Sequence, residues 1–117
     1  MEERFKVEFL DEAVEFLGSL EKKEREKILY NIYKARATQN QELFKKLSDD
    51  IWEFRTLFNK THFRLFAFWD KTEPVEKLVV STHGIIKKTK KTSPKEIQKA
   101  VQIKEKYFNL KTRSNEK

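Results

Sequence analysis

The spacing of apolar residues changes along the first third of the chain. Residues 4–10 alternate between apolar and charged side chains, which is the period-two pattern of a half-buried strand. Residues 13–20 and 28–35 place apolar side chains three or four positions apart, as amphipathic helices do. Gly18 and Ser19 separate these two stretches. The pattern therefore predicts a strand followed by a helical hairpin.

The middle of the chain predicts a meander of three strands. Residues 51–58 and 62–69 are rich in aromatic and branched side chains, which favour strands. Asn59 and Lys60 lie between them and can form a two-residue turn, because Asn tolerates a positive φ angle. A third strand is predicted over residues 77–83. The two-residue turn would fix the pairing register of the first two strands.

A final helix is predicted after the lysine-rich segment that follows the third strand. Residues 93–96 (SPKE) combine an N-cap Ser, a Pro at the first helical position and a Glu at the third, the signature of a capping box. Residues 38–50 are mostly polar and are predicted to be a connection. The order β-α-α-β-β-β-α predicts an α+β fold with an antiparallel sheet, the helical hairpin on one face and the last helix near an edge. We expect one domain over residues 1–110 and a polar tail over 111–117.

Composition narrows the class of protein. A chain of 117 residues is long enough for one hydrophobic core. The absence of cysteine excludes disulfide frameworks, thiolate zinc sites and a cysteine nucleophile, and fits a reducing compartment. Acidic residues interrupt the apolar positions of the first 18 residues, so neither a signal peptide nor a membrane span is predicted there. We expect a cytoplasmic protein.

The basic residues are unevenly distributed. Lys and Arg number 26 against 19 Asp and Glu, giving a formal charge of +7, and residues 87–95 contain five lysines and no acid. Such a block is the electrostatic footprint of a phosphate-binding surface, although a solvated charged face has the same composition.

The predicted hairpin register places Arg55 directly opposite Arg64. Like charges in this arrangement are destabilising unless something offsets them. A bound phosphate would do so; the alternative is that Glu53 or another acid neutralises the two guanidinium groups. The lysine-rich segment leads from the sheet into the N-terminus of the last helix, where backbone donors and the helix dipole also favour an anion.

Three stretches of the chain carry a resemblance to a known family. Residues 51–55 (IWEFR), 62–69 (HFRLFAFW) and 83–100 (HGIIKKTKKTSPKEIQKA) resemble the strand-strand-strand-helix portion of the HigB-type toxins in the RelE/ParE superfamily of type II toxin–antitoxin systems. The resemblance extends over about residues 47–105. It implies a RelE-like fold and a ribosome-dependent endoribonuclease that cuts mRNA without a metal or other cofactor. It also implies a cognate antitoxin, expected to be of the helix-turn-helix type, through which alone the toxin would contact operator DNA.

By position, the resemblance assigns the catalytic arginines to Arg55 and Arg64 and the basic pair after the third strand to Lys87 and Lys88. Proton transfer is open between a lysine whose pKa is lowered by neighbouring cations and His83 at the end of the strand.

The remaining expected RNA contacts are Thr89, Lys90 and Lys91. An aromatic residue is common in the family where Ile85 stands here, so Phe66 or Phe68 is the candidate for stacking on a base. The alternative role of both residues is packing beneath the last helix.

The expected reaction uses the RNA's own 2′-OH as nucleophile. The protein then needs to align that oxygen, stabilise the charge of the phosphorane and move protons, and guanidinium groups suit the second task. Two other functions stay open: a ParE-like toxin that acts on DNA gyrase, which has less need of a basic cluster, and a basic nucleic-acid-binding module without catalysis.

Overall fold

The computed structural model describes residues 5–38, 40–72, 77–87 and 91–115. Its elements, in chain order, are β1 (Lys6–Phe9), α1 (Asp11–Gly18), α2 (Lys22–Ala37), β2 (Phe44–Lys46), β3 (Trp52–Phe58), β4 (Thr61–Asp70), β5 (Leu78–Lys87) and α3 (Pro94–Asn115). The predicted α+β class is confirmed.

The sheet has five strands in the order β1-β5-β4-β3-β2. The predicted meander of β3, β4 and β5 is antiparallel, but β1 pairs with β5 in parallel, so the sheet is mixed and the wholly antiparallel prediction is wrong. No tight turn joins β1 to β5, and the long connection between them leaves a parallel direction open. The second difference is β2, a strand of three residues within the segment predicted to be a connection.

The turn between β3 and β4 confirms the predicted register. Asn59 and Lys60 have φ angles of 50° and 61°, as a turn of type I′ requires at both central positions. Arg55 consequently pairs with Arg64.

Both faces of the sheet are buried. The α1–α2 hairpin covers one face, where Phe54, Phe63 and Leu65 form the core. The last helix was expected near an edge, but α3 packs on the opposite face, over Phe66 and Phe68. Successive residues of β4 point to opposite faces, and they are apolar on both, which is why the sheet takes a helical layer on each side.

The start of α3 differs in detail from the predicted capping box. Ser93 Oγ accepts a hydrogen bond from the backbone N–H of Lys95 at 3.2 Å, so the N-cap prediction is confirmed. The carboxylate of Glu96 lies instead against His83, 3.2 Å from Nε2. The helix continues to Asn115 and includes much of the segment expected to be a polar tail. Within the described ranges, no helix has both the length and the apolar character needed to cross a membrane.

Candidate functional site

The opposed arginines lie on the face of the sheet that α3 covers, beyond the N-terminal end of that helix. Arg55 and Arg64 are directly opposite each other on β3 and β4, so their side chains leave the sheet on the same side. Arg64 pairs on its other side with Ile85 of β5, and Lys87 lies two residues further along that strand. Three cationic side chains from three adjacent strands therefore share one face.

One buried carboxylate lies between the two guanidinium groups. Glu53 is 3% exposed, and its Oε1 is 3.4 Å from Nε of Arg64 while its Oε2 is 3.7 Å from Nε of Arg55. The hydroxyl of Thr92 donates a hydrogen bond to Oε1 at 2.9 Å. The sequence suggested either a bound phosphate or an acid as the group that neutralises the two arginines. The acid is present, but its single carboxylate lies between two guanidinium groups.

The contacts of Glu53 leave hydrogen-bonding capacity unused. The Nε atoms of Arg55 and Arg64 are both buried, and neither has a hydrogen-bond partner of good geometry. A buried donor without a partner costs about 1–3 kcal/mol relative to a satisfied one. An additional anion could remove part of that cost.

The two arginines differ in their access to solvent. The side chain of Arg55 is 22% exposed, whereas that of Arg64 is 2% exposed and donates from Nη1 to the carbonyl of Phe63 at 3.2 Å. Burial lowers the pKa of Arg64 and Arg55 adds to this effect, while Glu53 opposes it. Arginine nevertheless stays charged in proteins. Arg55 is therefore the guanidinium that a bound molecule can reach, with Arg64 beneath it.

Lys87 closes the cluster on the side of β5. Its Nζ donates a hydrogen bond to the backbone carbonyl of Lys91, across the start of the lysine-rich segment. Burial lowers the pKa of Lys87, as does the positive charge of Arg64, while Glu53 and Glu96 oppose the shift. A lysine with a lowered pKa can exchange a proton nearer to neutral pH than an exposed one.

The lysine-rich segment is described only at its two ends. Lys91 is exposed. The predicted site residues Lys88, Thr89 and Lys90 lie outside the described residues.

His83 is held by contacts on all sides. A bulge in the pairing of β4 with β5 lies between Leu65 and Ala67, and His83 falls within it. The side chain is 2% exposed, with Nδ1 2.9 Å from the hydroxyl of Thr82 and Nε2 3.2 Å from Glu96. Burial lowers its pKa, with a smaller contribution of the same sign from Lys99, while Glu96 opposes the shift. These contacts join β5 to the first turn of α3.

Phe66 is fully buried and cannot present a free ring face to a base in this arrangement. Its ring stacks on His83 with the centroids 4.8 Å apart, and it packs in the core beneath α3. The packing role, given as the alternative, is the one that this geometry supports. Phe68 is fully buried in the same core, so we assign base stacking to neither residue.

The cluster carries more positive than negative charge. Arg55, Arg64 and Lys87 surround one carboxylate, and the N-terminus of α3 lies beside them through Thr92. In the described part of the chain no three His, Asp or Glu side chains lie close enough to hold a metal ion together. What the arrangement can do chemically is bind an anion from the solvent side of Arg55 and neutralise charge that develops on it.

Sequence reasoning treated Glu53 only as a possible neutralising acid and did not identify Thr92. A usable signal for Glu53 was its spacing of two from Arg55, which puts both side chains on one face of a strand. Thr92 contacts Glu53 across 39 positions of sequence, and no local pattern predicts such a contact.

The fold and the site together define a small α+β domain with a cationic cluster at the end of a sheet. The chain belongs to the phage-derived protein Gp49-like (DUF891) family, whose model matches residues 15–105. This family is a RelE-like toxin family of toxin–antitoxin systems. No curated protein matches the chain.

Proposed function

We propose that this protein is the toxin of a toxin–antitoxin pair and that it acts, as HigB-type toxins do, as an mRNA endonuclease on the ribosome. Family membership supports the toxin assignment and suggests an antitoxin partner. The observation that carries the nuclease assignment is the convergence of Arg55, Arg64 and Lys87 around the single carboxylate of Glu53. The order of elements around the meander supports a RelE-like topology.

The proposed reaction breaks the bond between phosphorus and the 5′-oxygen of the next nucleotide. The 2′-OH of RNA attacks phosphorus, loses its proton and forms a cyclic phosphate, while the leaving 5′-oxygen gains a proton. Arg55 contacts the phosphate oxygens because it is the exposed guanidinium, and Arg64 acts through Glu53 to position it. Lys87, with its lowered pKa, is the candidate for one proton transfer.

His83 is less suited to that proton transfer. Both of its ring nitrogens already face protein partners, and its side chain is buried beneath α3. We assign it to positioning the start of α3 above the cluster. No metal or cofactor is needed for the reaction as proposed.

The test is a translation reaction with purified ribosomes, a defined mRNA and the purified protein. Cuts within codons support the proposal if they occur only when ribosomes are present. Intact mRNA together with double-strand breaks in gyrase-treated DNA would favour a ParE-like toxin, and binding to nucleic acid without either product would favour a non-catalytic module.

A growth assay tests the site in cells. Expression of the wild-type protein without antitoxin should arrest growth. Cells that express Arg55→Ala should grow, and the purified variant should be folded. Lys34→Ala, on the exposed side of α2, is the matched control and should stay toxic. An Arg55→Ala protein that is fully toxic would show that the cluster is not the active site.

A further inference from the structure

A second basic pocket lies at the opposite end of the sheet from the arginine cluster. It is formed where β3 begins, β4 ends and the middle of α3 passes beside them. Its walls include three aromatic side chains and three lysines: Trp52, Trp69, Phe108, Lys71, Lys77 and Lys104. Neither the proposed reaction nor the family assignment accounts for this pocket.

The pocket is cationic. Lys46, also at its edge, is paired with Asp50 at 3.5 Å. Lys71, Lys77 and Lys104, by contrast, form no ion pair with an acid in the described part of the chain. Three ammonium groups around one concave site, without an ion pair to any acid that the structure describes, favour a ligand with several negative charges.

The two indoles give the pocket an aromatic wall with polar edges. Trp52 is stacked on Phe44 with the centroids 4.7 Å apart, and Trp69 meets Trp52 edge-on at 6.0 Å. Both indoles are only partly buried. Neither indole N–H donates to a partner among the described residues, so both donors are available to a ligand.

We propose that this pocket binds single-stranded RNA outside the arginine cluster, with RNA phosphates on the lysines and a base against the indoles. The inference rests on the proposed function and adds a second contact region for its substrate. Lysines interleaved with aromatic side chains are the usual means of binding a single strand without reading its sequence. An acidic peptide would satisfy the lysines but leave the aromatic wall without a flat partner.

The pocket and the arginine cluster do not share a face of the sheet. Trp52 precedes Arg55 by three residues on β3, about 10 Å along the strand, so the two side chains leave opposite faces. Trp52 and Trp69 pack against the core on the hairpin side, whereas Lys104 and Phe108 belong to α3, so the pocket lies at the end of the sheet. RNA that contacts both regions has to pass around that end.

Intrinsic fluorescence reports on this pocket directly, because the chain contains only two tryptophans and both line it. The probe is a short RNA with 2′-O-methyl groups throughout, which removes the nucleophile and prevents cleavage. We expect saturable quenching that weakens as salt rises. Lys104→Gln should reduce affinity about fivefold at 0.1 M salt and lower the salt slope by about 0.7, the effect of one lost phosphate contact on a single strand.

Three variants separate this inference from the proposed function. Lys34→Gln, an equal loss of charge on α2, should leave the quenching unchanged, and Arg55→Ala should retain it while slowing cleavage by about 10²–10³. Lys104→Gln should raise KM for RNA cleavage with little change in kcat.

Cleavage without quenching would overturn the pocket assignment and leave the nuclease assignment standing. Quenching by a glutamate-rich peptide but not by RNA would also overturn the assignment, in favour of a protein partner. Quenching by RNA in a protein that cuts no RNA would instead contradict the proposed function and, with it, the substrate role of the pocket.

Discussion

Two buried carboxylates on the same sheet have opposite surroundings. Asp70, at the end of β4, is 2% exposed and accepts hydrogen bonds from Tyr107 at 2.5 Å, from Lys111 at 2.7 Å, and from the hydroxyl and backbone N–H of Thr72 at 2.7 and 3.0 Å. Glu53 is equally buried, but it faces two guanidinium groups at 3.4 and 3.7 Å. The first carboxylate has one cation and three neutral donors, and the second has two cations and one neutral donor.

The difference separates a structural contact from a functional one. Around Asp70 the charges balance and the donors are satisfied, so the group fastens α3 to the end of β4. Around Glu53 the cations outnumber the acid, both Nε donors lack a partner of good geometry, and Arg55 is open to solvent. A cluster of this kind gains from a further anion, which is what a nuclease requires of it.

The largest expected effect is on catalysis. Arg55→Ala should lower the rate of RNA cleavage by about 10²–10³, the usual cost of removing one donor to a developing anion. The free energy of unfolding of this variant should change little, because removal of the Arg55 guanidinium leaves Glu53 and Arg64 as a pair of equal and opposite charge. Single-turnover kinetics and urea denaturation measure the two effects. A variant with normal kinetics would place the anion site elsewhere.

Glu53→Gln should destabilise the fold by about 3 kcal/mol, because it leaves the buried Arg64 without a counter-charge. Inorganic phosphate should restore part of this stability by occupying the cluster. Urea denaturation with and without phosphate measures both effects, and Lys34→Ala, on the exposed side of α2, serves as the control for general salt effects. Equal gains from phosphate in the two variants would contradict an anion site at the cluster.

Asp70→Asn should cost about 2 kcal/mol of stability, since it weakens hydrogen bonds to a charged acceptor. Its cleavage rate at a temperature where it is folded should match that of the wild type. A thermal melt together with the cleavage assay tests this separation of roles, and a loss of activity in the folded variant would show that the Asp70 site also serves the reaction.

The smallest effect is a dependence on pH. Burial alone would raise the pKa of Asp70, but hydrogen bonds from Lys111, Thr72 and Tyr107 outweigh it and hold the pKa well below the ordinary value of 3.8. In the unfolded chain the Asp70 carboxylate is protonated near pH 4, whereas in the folded chain it stays ionised. The ionised carboxylate therefore contributes to stability above about pH 4, and this contribution is lost as the pH falls below that value. In urea denaturation from pH 6 to pH 3, the free energies of unfolding of the wild type and of Asp70→Asn should converge. Parallel curves would rule out this assignment.

Local sequence was sufficient where neighbours in the chain determine the structure. The Asn59–Lys60 turn set the hairpin register, and the register set Arg55 against Arg64. The same reasoning could not foresee that β1 runs parallel to β5, because that pairing depends on how the helical hairpin crosses the sheet.

The surroundings of the site were less predictable for a related reason. A histidine at the end of a strand is commonly exposed, but the bulge in β5 and the cover of α3 bury His83. The contact of Thr92 with Glu53 and that of Lys111 with Asp70 both depend on where α3 docks, and nothing within the helix sequence specifies the docking face.

The chemical ends of the RNA fragments test the central claim most directly. If Arg55, Arg64 and Lys87 assist attack by the RNA's own 2′-OH, the upstream fragment should carry a 2′,3′-cyclic phosphate and the downstream fragment a 5′-hydroxyl. Mass spectrometry of fragments from a defined mRNA reads both ends. Fragments with a 5′-phosphate would mean that water is the nucleophile, and they would contradict the proposed mechanism.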